Sequence, residues 1–418
     1  MFKLIGTLFV LVLFSSAESR VALPVHTNEI VPEFYAAKQG GCQIDVNKDL
    51  NEPQPLILIP GTTQFLLPND TRGIVFLNKG EQIEVYCSKT FDGLNNVQSR
   101  NITCESGNEF RENGKIFSFK SLNCTQYPYH KAERTNRTCF NDARVLDVGF
   151  DVGTRFVKLY EICFDEVLER TYYVTHEFTP PYATHQSGFP RPSFISTGYF
   201  NGKKVDNLYT RKTQRQTVAK ILKSTELAEK YIQDNTDLYL ARGHISAKSD
   251  FIFGAHHRAT FYFMNCAPQW QTFNGGNWQM VEIAVKKFVA DRNIEVDAYT
   301  GTWGTTTLPD AKNKKHELYL AFDENNNGLI PVPMLYYKIL VDRKTQNGIT
   351  LIGVNNPYLE MKEILADYVI CKDISDMIDW VNWNKTNIQV GYSYACDVNE
   401  FMGKVKHLPD LRVKGLLV

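Results

Sequence analysis

No Cys-x-x-Cys occurs among the nine cysteines, which excludes a zinc knuckle and a thioredoxin-type redox pair. Charge of one sign is also missing. The formal net charge is zero, so a basic surface for nucleic acid has to be local rather than global. After the first 14 residues there is no second long apolar run, so a soluble mature chain without stable membrane association is expected. His176-Glu177 opens like a zinc-protease helix, but Pro180 stands where the second histidine belongs. Asp323-Glu324-Asn325-Asn326-Asn327-Gly328 lacks the closing glutamate of a calcium loop and reads as a turn. Residues 20–138 show neither a long helical period nor a catalytic constellation.

The chain begins Met1-Phe2-Lys3, followed by an apolar stretch over 4–14 and then Ser15-Ser16-Ala17. A basic start, a short apolar core and small residues predict a secretory signal peptide over 1–19, cut after Ala17 or Ser19. Five Asn-x-Ser/Thr sequons, at Asn69, Asn101, Asn123, Asn136 and Asn384, fit a secreted, extracellular glycoprotein. In an oxidising compartment most cysteines pair. Six lie between 42 and 163 and are expected to staple that region and its junction, and Cys371 is expected to pair with Cys396. The odd one is expected to be Cys266, a small buried hydrophobe inside an apolar stretch.

At 418 residues, two domains are expected. Hydrophobic residues make up 43% and charged residues 22%, an ordinary globular balance. Residues 20–139 read as a β-rich accessory or pro-region, with a carbohydrate- or nucleic-acid-docking module as the alternative. Short strands are expected there near 55–60, 73–77 and 82–87. Residues 140–418 read as α+β. Alternation over 155–164 and 171–178, joined by the acidic connector 165–170, predicts a hairpin. Residues 180–200 are rich in proline, glycine and serine and read as loop. Residues 203–230 then hold eight Lys/Arg against three acids, with helical propensity over 214–233. Such a local basic face suits either phosphate tracking or a solvated helix. A strand ending at His244 and a helix over 277–291 follow. Further strands are expected near 294–301, 314–322, 334–341 and 349–354, and a helix over 373–383. His256-His257 has no spaced metal-ligand partners and is expected to be solvated.

Residues 239–282 gather one imidazole, one guanidinium, several amides and one carboxylate on a strand, a loop and a helix start. That set suits phosphodiester hydrolysis with one hard metal ion. A neutral histidine takes a proton from water, and a metal ion held mostly by water clamps the phosphate. Mg²⁺ keeps several waters, so one amide oxygen such as that of Asn274 suffices, with Glu282 holding the waters. Each signal alone also has a plainer structural reading. His244 after a glycine can be structural, Asn274 can be a cap, and Trp270 and Trp278 are expected in the core.

Together these residues resemble the DNA/RNA non-specific endonuclease family, the ββα-metal nucleases. The match rests on Arg242-Gly243-His244, Asn265 with Ala267-Pro268-Gln269, Asn274 with Trp278, and Glu282, and spans about 150–400. The longer run from Arg242 through Asp250-Phe251 and Gln269-Trp270 to Gly275-Gly276-Asn277-Trp278 looks like the secreted arthropod branch, which includes double-stranded RNases and salivary endonucleases. The resemblance implies an α+β fold with a mixed central sheet and Mg²⁺ or Mn²⁺ as cofactor. It implies His244 as general base, Asn274 as direct metal ligand, Glu282 as water-mediated metal support and Arg242 as phosphate contact. Asn265 would support the site. Two positions depart from the family pattern. Ala241 stands where the motif opens with aspartate, and Lys286 stands where an arginine usually follows the glutamate, keeping the charge for the leaving group but not the fork. The expected activity is a sugar-non-specific endonuclease acting on DNA, RNA or both, with double-stranded RNA preference as a variant. A catalytically weak nucleic-acid- or partner-binding protein on the same fold is the alternative.

Overall fold

The alternating stretch does fold as a hairpin, Arg155–Asp165 against Arg170–Phe178. Tyr160, Ile162 and Phe164 point to the core, and a register shift after Lys158 keeps Val157 buried as well. In the computed structural model, which describes residues 40–196 and 198–418, this hairpin is the middle of a nine-stranded sheet. Its neighbours run in the order Ser393–Cys396, Asn347–Val354, Leu335–Asp342, Val296–Trp303, Arg170–Phe178, Arg155–Asp165, Arg144–Val152, His130–Thr138. All these pairs are antiparallel. Gly415–Leu416 adds one parallel partner to Asn347–Val354, making the sheet mixed. The expected signal peptide lies outside the described residues.

Leu335–Asp342 is buried along its whole length because both faces of the sheet are covered there. Tyr336 and Leu340 face a core shared with Trp270, Trp278 and Phe273. Leu335, Tyr337 and Ile339 face a second core with Ile364, Tyr368 and Phe401. The period-two alternation of a strand thus separates the active-site layer from the C-terminal layer.

The N-terminal region holds a five-stranded sheet, Leu56–Leu58, Gln82–Tyr86, Ser99–Ser106, Glu109–Glu112 and Lys115–Ser118, and the pair Cys42–Asp45 with Ile74–Leu77. Disulfides Cys42–Cys104 and Cys87–Cys124 close it, Cys139–Cys163 ties two strands of the large sheet region, and Cys371–Cys396 closes the C-terminal layer. Cys266 is free and buried, as expected.

Two expectations need correction, and the helical propensity over 214–233 is realised as two helices, Arg211–Leu222 and Thr225–Tyr231. Lys223 turns left-handed at φ 55° and the Ser224 side chain accepts from Leu227 N–H, which ends one helix and starts the next. Residues 373–383 hold only the 3₁₀ turn Ser375–Met377. There the Asp373 carboxylate accepts from Ser375 N–H at 2.7 Å, and Ile374 N–H donates to Ala395 O at 2.8 Å, so the backbone is committed elsewhere. His256 and His257 are not solvated but buried, in the helix Gly254–Ala259. The His256 ring lies 4.2 Å from Phe65 and 5.9 Å from Phe150, and His257 Nε2 bonds Phe251 O at 2.7 Å.

Candidate active site

Leu240–His244 pairs antiparallel with Cys266–Trp270 as a two-stranded unit lying on the large sheet. Gly243 permits this packing, since a Cβ there would sit 2.3 Å from Gln269 Oε1 and 2.9 Å from the Tyr336 hydroxyl. Arg242 and His244, two residues apart, then share the opposite face. The buried Asn265 amide clamps the chain just beyond His244. It accepts from Ser246 N–H at 2.9 Å and donates to Ser246 O at 2.9 Å and Thr260 O at 3.0 Å. Asn355 holds the partner strand, accepting from Trp270 N–H and donating to Pro268 O.

After Trp270 the chain makes one turn, Gln271–Asn274, then passes Gly275-Gly276 into the helix Asn277–Arg292. A Cβ at Gly276 would lie 2.4 Å from Thr272 O and 2.8 Å from Val390 O, so the tight entry requires glycine. The Asn277 side chain donates to Asn384 O and Gly391 O at 2.7 Å and accepts from Asn384 N–H, fixing the helix start. Its buried stripe, Trp278, Val281, Val285, Phe288 and Val289, is the predicted one and leaves Glu282 on the flank.

These elements open on a cavity of 450 Å³ lined by Arg242, His244, Asn274 and Glu282 together with His185, Arg191, Lys248 and Gln271. Asn274 donates its side-chain N–H to Gln271 Oε1 at 3.1 Å. This orients its own carbonyl oxygen, which has no partner among the described residues. One free amide oxygen with a carboxylate one face away is a donor set for a hard, well-hydrated cation, so these residues fit Mg²⁺ or Mn²⁺. Among the described residues no three His, Cys, Asp or Glu side chains converge as a metal cage. The His244 ring is 8% exposed and packs between Phe194 and Phe261 at 5.0 and 4.9 Å. Its Nε2 lies 3.5 Å from Thr260 Oγ1, whose proton goes to His257 O. The Nδ1 atom has no partner among the described residues.

The family model for DNA/RNA non-specific endonuclease matches residues 141–401. The chain belongs to this family. The nuclease is 26% identical over 396 residues to the salivary protein Tsal2A of Glossina morsitans morsitans, covering 90% of this chain and 95% of the relative. It is 27% identical over 336 residues to a salivary endonuclease of Lutzomyia longipalpis, covering 79% of this chain and 75% of that one. A solved chain from the EndoG/EndoGI complex covers 62% of the nuclease and 86% of its own length at 16% identity, with a TM-score of 0.38.

Two expected site residues stand apart from the cavity lining. Asn265 is enclosed in the loop clamp described above. The Lys286 ammonium donates to Ser249 O at 3.0 Å and faces a neighbouring cavity with His185 and Lys287. Arg242 lines the cavity, but its guanidinium already donates to Asp206 Oδ1 at 2.8 Å and lies 5.5 Å over the Tyr209 ring. Ala241 faces Gln269 across the strands, and both polar atoms of that buried amide lack partners. The basic stretch over 203–230 is partly structural. Arg211 stacks 3.8 Å over Tyr239, Arg215 pairs with Asp234 and Lys203 with Glu169, which leaves Lys204, Lys212, Lys220, Lys223 and Lys230 exposed. The sequons at Asn101, Asn136 and Asn384 are exposed, and Asn69 and Asn123 are half-buried.

Several participants were not visible in the sequence. Arg191, between Pro190 and Pro192 in the loop, is exposed, reaches the cavity and has no acidic partner among the described residues. Its flanking prolines are the one local sign of a fixed position. Below the cavity, Asp250 is fully buried and accepts from Lys338 Nζ at 3.0 Å and from Ala247 N–H at 3.1 Å. Burial raises the Asp250 carboxyl, but Lys338, His176 and Lys286 more than offset it and hold it below its ordinary value. Burial and the Asp250 charge push Glu282 up to about 7. Burial and the charge of Arg191 push His244 down to about 3, so its ring is neutral at pH 7.

Burial lowers His185 and six further histidines from the ordinary 6.5: His130 and His176 to about 4, and His244, His256, His257 and His407 to about 3. Between those values and 6.5 the unfolded chain binds protons that the folded chain does not, so stability falls as pH falls. Each histidine contributes about 1.4 kcal/mol per pH unit in that window. Glu282 has the opposite sign between 4.5 and about 7, and burial raises the Glu52 and Asp147 carboxyls in the same sense, but the histidines outnumber these groups. The thermal unfolding midpoint is therefore expected to drop steeply from pH 6.5 to 5, and a flat midpoint over that range would contradict neutral buried rings.

Proposed function

We propose that the chain is a secreted, metal-dependent endonuclease that hydrolyses internal phosphodiester bonds of DNA, RNA or both, double-stranded RNA included. The observation that carries this reading is the convergence of His244, the free carbonyl oxygen of Asn274 and Glu282 on one cavity. Eight of the nine cysteines are paired, and the relatives' names are salivary, both of which support secretion.

In this reading His244 Nδ1 takes the proton of the attacking water, while Nε2–H points toward Thr260 and fixes the tautomer. The phosphodiester's negative charge, arriving beside the ring, raises its proton affinity toward the working range. Arg191, the guanidinium without an acidic partner, meets the phosphate's non-bridging oxygens, with Arg242 as a second contact held in place by Asp206. Asn274 Oδ1 would hold a Mg²⁺ or Mn²⁺ ion, with Glu282 beside it to hold the ion's waters. A bound dication neutralises phosphoryl charge and stabilises the leaving 3′ oxygen. Lys286 adds positive charge from behind the Ser249 carbonyl.

A catalytically weak binding protein on the same fold is the second reading. It is favoured by the unpartnered Gln269 amide opposite Ala241. Purified protein incubated with circular plasmid DNA, single-stranded RNA and double-stranded RNA in Mg²⁺ separates the two. Conversion of closed circles to nicked and linear forms, or shortening of RNA from within, is expected. Binding without turnover on all three substrates would favour the second reading.

A further inference from the structure

One wall of the catalytic cavity is held from two sides, by the domain that carries the base and by the N-terminal region. His185, Gln186, Ser187, Gly188 and Arg191 belong to the loop after Arg170–Phe178, a segment with little regular structure. Gln186 N–H donates to Ile252 O and Lys248 Nζ to Phe189 O, both at 2.7 Å, and further bonds run back to the N-terminal region. Gln54, 1% exposed, donates from Nε2 to Gln186 Oε1 at 2.8 Å and to Glu52 Oε1 at 2.7 Å. Its own Oε1 accepts from Ala255 N–H at 3.4 Å. Gln186, 7% exposed, also accepts from Gly254 N–H at 2.7 Å. Asn47 Oδ1 accepts from both the N–H and the hydroxyl of Ser187, at 2.9 and 3.1 Å. Asn47 is itself oriented by donating its N–H to Asp45 Oδ1, on the strand anchored by the Cys42–Cys104 disulfide. Gly73 completes the contact, since a Cβ there would lie 3.0 Å from Thr184 Cγ2.

From this geometry we infer that Gln54 and Asn47 are positioning residues for catalysis. They clamp the 185–191 loop so that Arg191 stands over the phosphate site, and the N-terminal region is retained in the working enzyme rather than removed. The inference rests on the nuclease reading above. Buried amide-to-amide bonding makes the clamp directional: Gln54 must donate and Gln186 Oε1 must accept. An isosteric carboxylate at 54 has no proton to give at pH 7 and faces an acceptor.

The test uses the full-length protein. Gln54→Glu and Asn47→Ala are each expected to lower kcat/KM about tenfold, the usual scale for a displaced positioning group. Asn47→Asp, which keeps the acceptor for Ser187, is expected to cleave like wild type. In an Arg191→Ala background the Gln54 and Asn47 changes are expected to add nothing further, because they act through Arg191. Hydrogen exchange at amides 185–191 is expected to speed up in Gln54→Glu and Asn47→Ala but not in Asn47→Asp. Unchanged cleavage and exchange would overturn the clamp, as would losses that add in full to that of Arg191→Ala. If the wild-type protein cuts nothing, the nuclease reading fails, while the exchange result still decides whether the N-terminal region orders this wall.

Discussion

His244→Ala is expected to lower cleavage about 10²- to 10⁴-fold, the range a positioned general base contributes, while the chain still folds. The ring is held between Phe194 and Phe261 and donates at most one long hydrogen bond, to Thr260. Its removal therefore costs some packing but breaks no buried ion pair. It also removes one of the rings that resist protonation, so the variant should be less acid-sensitive than wild type, the opposite of general unfolding. His244→Gln, which fills more of the space without a base of suitable geometry, should be as inactive as the alanine variant. Added imidazole should restore part of the activity of His244→Ala by occupying the vacated space beside the cavity. Cleavage rates are read under single-turnover conditions, so that product release does not mask the chemical step. Wild-type rates in either variant would remove His244 from the mechanism.

What the sequence revealed and what it hid follow from chain distance and local bonding. Arg242, His244, Asn274 and Glu282 were legible because a strand pair, a tight glycine turn and one helix bring them together over a short stretch. Their grouping came from the family resemblance, while the facing of Arg242 depends on strand register and needed the pairing of Leu240–His244 with Cys266–Trp270 to fix it. Lys338, Arg191 and Gln54 were not legible, because each reaches the site from a distant element and nothing local marks it. His256 and His257 were misread for the same reason. The aromatic neighbours of His256, Phe65 and Phe150, come from the N-terminal region and the large sheet, and that of His257, Phe189, from the loop over 180–200. The helix expected over 373–383 failed for a different reason. The pattern was helical, but the Asp373 side chain bonded to Ser375 offers the backbone a competing turn. The strands of the large sheet came through well because their alternation spans many residues. Arg242 shows the limit of motif reading. Its position was predicted, but its pairing with Asp206, which turns it from a free phosphate ligand into a fixed one, was not.

Removal of divalent metal is expected to stop cleavage altogether, and Mg²⁺ or Mn²⁺ is expected to restore it. The donor set explains why the effect should be complete rather than partial. Asn274 offers one neutral oxygen, and its amide nitrogen is engaged by Gln271, which leaves that oxygen without a partner among the described residues. A site with so few protein ligands binds weakly and yields readily to a chelator. Glu282 supplies a second, independent readout. Burial and Asp250 leave it near half-protonated at pH 7 in the metal-free protein. A dication nearby favours the carboxylate, so metal uptake at pH 7 is expected to release a fraction of a proton. Below pH 7 that proton competes with the metal, and affinity is expected to fall. Calorimetric titration of the protein with Mg²⁺ in two buffers of different ionisation heat measures the released protons without any substrate. Glu282→Gln cannot release a proton and should lose the buffer dependence, while Asn274→Ala should lose metal uptake itself. Cutting that persists in excess chelator would overturn the metal requirement. Metal uptake without proton release, together with chelator-sensitive cutting, would put the ion out of reach of Glu282 and leave Asn274 to be tested against the other oxygens of the cavity.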